Sequence, residues 1–108
     1  MKKHEVVVTD KAYSQLKAAA QWWAENRSVE QAEKWFAGFL EAIVSLEKNP
    51  GRCPLARENT SFPVEIRELH YGVSRRATHR AIFVIRPDKV VVYSVRHLAQ
   101  RDIQPEDL

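Results

Sequence analysis

Cysteine, glycine and long apolar runs are all scarce in this sequence. There is one cysteine in 108 residues, Cys53. A disulfide within the chain is therefore excluded, and the count fits a reducing compartment. There are only 3 glycines, and none sits in a Gly-rich phosphate loop. No apolar stretch approaches the roughly 20 residues that cross a bilayer. The start, Met-Lys-Lys-His-Glu and then a short Val run, does not read as a signal peptide. A cytoplasmic protein is the expectation. His70, His79 and His97 lack a Cys or carboxylate cluster at ligand spacing, so neither a metal site nor a cofactor is expected. Nothing places a Ser on an exposed elbow for a Ser/His/Asp triad. The length is that of one small domain, with no room for a second, cofactor-binding fold.

What the chain does have is charge, unevenly spread. Residues 1–66 carry nine Lys/Arg and nine Asp/Glu, and are neutral. Residues 67–101 carry eight basic residues against Glu68 and Asp88, a surplus of +6. Residues 102–108 form an acidic tail at −3. Seven of the eight basic residues are Arg, the side chain whose fork suits phosphate and carboxylate. Arg67, Arg75, Arg76, Arg80 and Arg96 are the candidate anion-binding set. A solvated sheet face is the plainer alternative.

Periodicity gives the elements. Val6-Val7-Val8 reads as a strand. Tyr13, Leu16, Ala20 and Trp23 recur at helical spacing over 11–26. Ser28-Val29-Glu30-Gln31 is a capping-box pattern. It opens a second helix to about Lys48, with an apolar stripe of Ala32, Phe36, Phe39, Leu40, Ile43 and Leu46. Gly38 inside it predicts close packing. Asn49-Pro50-Gly51 stops the helix. Residues 51–63 read as a loop. Residues 64–71 read as a strand with Ile66 and Leu69 on opposite faces, which leaves the register open. Residues 72–78 form a basic turn. Ala81, Phe83 and Ile85 alternate along the next strand, and 90–95 is apolar on both faces, as a central strand is. The expected fold is a single α+β domain ordered β-α-α-β-β-β. An antiparallel helix hairpin packs on one face of a small, mainly antiparallel sheet.

Several segments, taken in order, resemble the RelE/ParE family of bacterial type II toxins. They are the opening strand with Thr9-Asp10, Ser28 to Lys34, Ser45 to Pro50, Ile66 to Leu69, His79 to Phe83 and Val90 to His97. The resemblance runs from about Glu5 to Asp102 and is nearest the ParE branch. It implies a toxin neutralised by a cognate, acidic antitoxin in a hetero-oligomer, with no membrane role. ParE-type members inhibit DNA gyrase and are not nucleases, and gyrase is the expected target. RelE-type members cleave mRNA in the ribosome, which is the alternative. A diverged member that retains only antitoxin binding is a third reading.

Metal-free RNA cleavage needs a base for the 2′-hydroxyl, a cation on the phosphate and an acid for the leaving oxygen. Arg80 matches the family's phosphate-contacting strand Arg, and Arg101 falls near the Arg after the last strand. The family's Lys pair is replaced by Glu65 and Arg67, and Arg is a poor base. His97 is the substitute base, ahead of His79, His70 and Tyr93. As plainer alternatives, His97 bonds a backbone carbonyl or Asp102, and Arg80 makes a solvent-facing pair with Glu68. Trp22 and Trp35 lie off the main apolar stripes. They are candidate antitoxin-binding residues, or else aromatics that wrap the hairpin and meet the sheet.

Overall fold

A computed structural model describes residues 3–107. The chain forms β1 (Glu5–Val8), α1 (Asp10–Asn26), α2 (Val29–Val44), β2 (Arg67–Tyr71), β3 (His79–Ile85) and β4 (Lys89–His97). Both helices start on the expected hydroxyl caps. Thr9 Oγ1 accepts from the Ala12 amide at 3.1 Å, and Ser28 Oγ from the Gln31 amide at 3.0 Å. Each bond satisfies one of the amides a helix start leaves free. The α2 helix stops at Val44, and a tighter turn, Ser45–Glu47, carries the chain to Asn49. Asn49 takes a left-handed φ of 48°, a conformation Asn tolerates. Pro50 then prevents any return to helix.

The sheet order is β1-β4-β3-β2. The β1 strand lies parallel to β4, and the other pairs are antiparallel. The expected meander is therefore present, with one parallel strand added beside its last member. As its two-sided apolar pattern predicts, β4 lies inside the sheet.

The two faces of the sheet are covered differently. On the helix side, Ala12 and Leu16 of α1 and Trp35, Phe39 and Ile43 of α2 close over Ala81, Phe83, Val90 and Val92. On the far side, Ile66, Ile82 and Val84 are covered by the 53–66 loop through Ala56 and by the C-terminal segment through Ile103. Both coverings explain the register of the 64–71 stretch. Ile66 is buried on the far face, while Leu69 packs on the helix side.

The α2 stripe runs Ala32, Trp35, Phe39, Ile43 and then Leu46. Trp35 takes the place expected for Phe36, which is only half-buried. One residue along a helix is about 100° of rotation, and the wider ring takes the core side. Tyr13, placed by spacing on the α1 stripe, is 41% exposed, with Ala12 buried instead. The expectation for Gly38 holds. A Cβ there would collide with the Tyr71 hydroxyl, so α2 approaches β2 this closely because residue 38 has no side chain.

Candidate functional site

The far face holds a buried ion cluster. Arg80 lies on β3 in phase with Ile82 and Val84, and its side chain is completely buried. Its guanidinium donates to both oxygens of Glu58, at 2.7 and 2.5 Å, and to Glu68 at 3.3 Å. Glu58 also accepts from the Ile103 amide at 3.0 Å. Glu68 accepts from the Arg57 amide at 3.0 Å. Burial alone would raise the Glu58 carboxyl, but the bonds from Arg80 and Ile103 outweigh it and hold it at about 2. Burial also opposes charge on Arg80, and the two carboxylates outweigh it, so its pKa rises. Arg80 is thus neither a surface phosphate contact nor a solvent-facing pair. It ties the 53–66 loop, β2 and the C-terminal segment to β3.

The other predicted anion-binding residues separate into two groups. Arg96 is buried and donates to the Arg101 carbonyl at 2.7 Å. Its pKa is lowered by burial and then by the nearby charges of Arg80 and Arg101. Arg67 is half-buried, bonded to the Cys53 carbonyl at 2.6 Å and paired with Glu65 at 3.2 Å. Arg75 and Arg76 are exposed on the turn between β2 and β3. Arg101 is exposed too and reaches Asp107 at 3.4 Å. Of the candidate set, then, only the turn arginines present open guanidinium groups to solvent.

His97 lies on the helix side, directly across the β3–β4 ladder from His79. Asp102 is not its partner, since that carboxylate pairs with Arg57 at 2.7 Å. The His97 ring does bond the backbone, but in the opposite sense to that expected. Its Nδ1 accepts from the Ala99 amide at 2.9 Å. The neutral ring must then carry its proton on Nε2. His79 is pushed down to about 4 by burial and, secondarily, by His97, and so is neutral near pH 7.

The two histidines line a groove between α1 and the sheet. Trp22, Trp23, Ala19 and Arg27 form one wall, Thr78, His79 and His97 the other, around about 430 Å³. It runs past His97 into a shallower hollow bounded by Gln15, Ala18 and Gln100. The wall is stiffened by rings in contact. Trp22 meets Trp23 edge-on at 5.7 Å, Trp23 stacks on Trp35 at 6.4 Å, and Trp35 meets His79 at 5.0 Å. Trp22 is 52% exposed at the rim, whereas Trp35 is 1% exposed. The structure therefore separates the two tryptophans. Trp35 is a core residue, and its expected role in binding a partner is not open to it directly. Arg27, at the other end of the groove, is exposed and makes no ion pair among the described residues.

Sequence reasoning missed Glu58 and Gln15. Gln15 Oε1 accepts from the Val95 amide at 2.7 Å and from the Ser94 hydroxyl at 3.2 Å, pinning α1 to β4 beneath the groove. Neither residue belongs to a motif. The available signal was indirect: a strand apolar on both faces needs cover on both, and Arg80 shares the phase of Ile82 and Val84.

An open apolar groove and a sealed ion cluster, on opposite faces of a four-stranded sheet, define a small α+β binding domain. The chain belongs to the ParE toxin family of type II toxin–antitoxin systems, whose sequence profile matches residues 6–102. In structure it is similar to a toxin chain of the chromosomal ParDE system from P. aeruginosa, with a TM-score of 0.71 at 17% identity. That match covers 88% of this chain and 96% of the other. It is also similar to a chain of the RelBE2 toxin–antitoxin complex from Mycobacterium tuberculosis. There the TM-score is 0.58 at 23% identity, covering 93% and 97%. No curated protein matches it in sequence. No helix among the described residues is long and apolar enough to cross a membrane.

Proposed function

We propose that this toxin acts in the cytoplasm by binding its target, DNA gyrase, and that it does not cleave RNA. The observation that carries the reading is the state of Arg80. A phosphate-neutralising cation must reach the phosphate, and Arg80 is fully buried between Glu58 and Glu68. His97 supports the same reading. With Nδ1 held by the Ala99 amide, the neutral ring offers a proton at Nε2 and no free lone pair for a general base. The modest net charge of +3 also suits a protein partner better than competition for ribosomal RNA.

The same proposal assigns the groove at Trp22 to the acidic antitoxin. Its wall is aromatic and apolar, a half-exposed Trp stands at its rim, and Arg27 is free to meet a carboxylate. Partly exposed Trp beside a cation is the usual composition of a binding hot spot.

Pulse labelling after induced expression tests the target. The expected result is loss of DNA synthesis and a DNA-damage response, with protein synthesis continuing. A prompt stop in translation with DNA synthesis intact would overturn it in favour of ribosome-dependent mRNA cleavage. Unimpaired growth would leave antitoxin binding as the surviving activity. For the groove, Trp22→Ala is expected to weaken the antitoxin complex by about 2 kcal/mol, roughly thirtyfold in Kd. Titration calorimetry against the product of the adjacent gene reads this directly.

A further inference from the structure

The outer face of the helix hairpin is a second, separate surface. Residues one helical turn apart on α1 and α2 line a shallow valley of about 350 Å³. Ala20, Ala24 and Ala32 keep it low, and Val29 and Phe36 border it. Val29 is 64% exposed, and nothing in the chain covers it. Lys17 borders the valley from α1 and Glu33 from α2. The Lys17 ammonium rests 4.9 Å above the Tyr13 ring, which holds it along the helix surface.

Charge decides what suits this face. Residues 10–44 carry four Lys/Arg and five Asp/Glu, a net −1. An acidic segment gains nothing there and is drawn to the +6 segment at 67–101. A second copy of the same face is a different case. It is near neutral and carries one cation and one anion on opposite helices. With a twofold axis along the hairpin, α1 of one copy lies over α2 of the other. Lys17 then comes within reach of Glu33 of the partner subunit, and the same pair forms twice. Such self-complementarity is what an isologous contact requires.

We infer that the outer face of the α1–α2 hairpin is a self-association surface that pairs two copies of this chain through reciprocal Lys17–Glu33 contacts over the Val29–Phe36 valley. The available area sets the strength. Helices of 17 and 16 residues are about 25 Å long, and two of them side by side span about 20 Å. Two such faces bury about 1,000 Å² in total, the lower limit for a specific interface. The dimer is therefore weak and concentration-dependent. It leaves the groove at Trp22 open, because that groove lies on the sheet side of α1.

Sedimentation velocity on the full chain, from low to high micromolar, tests the inference. The expected mass rises from 12.5 kDa toward twice that value. Lys17→Glu and Glu33→Lys are each expected to hold the chain monomeric, and the double variant to restore the dimer. Far-ultraviolet circular dichroism checks that all three fold. A monomer at every concentration would overturn the inference. So would a dimer indifferent to the single substitutions, or one the double variant fails to restore. None of these outcomes depends on the target or on the antitoxin.

Discussion

The two faces of the sheet exclude water by opposite means. On the helix side, aromatic rings and aliphatic side chains close over β3 and β4, and the titratable group among them, His79, is kept neutral. On the far side a full ion pair is sealed in, and two loops are fastened to it. Rings in contact can slide and still touch. A buried guanidinium with two carboxylates has one satisfactory arrangement, and any loss strands a charge. The far face is therefore rigid by electrostatics, and the helix face is left to carry the groove. In this family member the sheet Arg that the resemblance marks as a phosphate contact is a structural rivet.

The comparison breaks first at Arg80. Arg80→Met leaves Glu58 and Glu68 buried without their cation and is expected to cost about 3–5 kcal/mol, read by chemical denaturation. A cost under about 1 kcal/mol would show that the cluster is solvated and the two faces alike. A smaller effect is expected from the helix face. Gly38→Ala sets a methyl against the Tyr71 hydroxyl, and α2 must shift, at about 1–3 kcal/mol. Thermal melts of the two variants side by side rank the faces.

Acid sharpens the contrast, with the smallest effect. The folded His79 titrates near 4 rather than 6.5. As pH falls from 6.5 toward 4, the unfolded chain gains a proton that the folded chain refuses, so stability declines over that window. Glu58 titrates near 2 rather than 4.5. Its contribution is complete above 4.5 and is lost only as pH falls toward 2. Denaturation midpoints measured against pH should show the helix face weakening first. His79→Phe should flatten the upper limb and leave the lower one unchanged.

Much of this was legible in the sequence, and the rest was not for physical reasons. Local patterns gave both caps, the stop at Asn49-Pro50, the element order, the central β4 and the close approach at Gly38. The stripe of α2 was one residue out of phase, because Trp35 and Phe36 are adjacent large rings and hydrophobicity alone does not choose between them. Trp22 was separated from the core by spacing, and the structure places it at the groove. Arg80 was misread because its partner Glu58 lies 22 residues away across a loop, and no local pattern pairs them. The polarity of the His97 bond depends on how the chain turns at Ala99, which composition does not record.

The parallel pairing of β1 with β4 has a consequence for the order of assembly. Glu5 meets Lys89 across nearly the whole chain, whereas the helix hairpin and the β3–β4 hairpin each close over short spans. Loop-closure entropy makes the local units form early and the distant pairing late. The wall of the groove from α1 meets its wall from β3 and β4 only at that last step. The binding surface of this toxin is thus a product of the final docking of two preformed pieces, and the chain acquires its partner specificity at the moment it finishes folding.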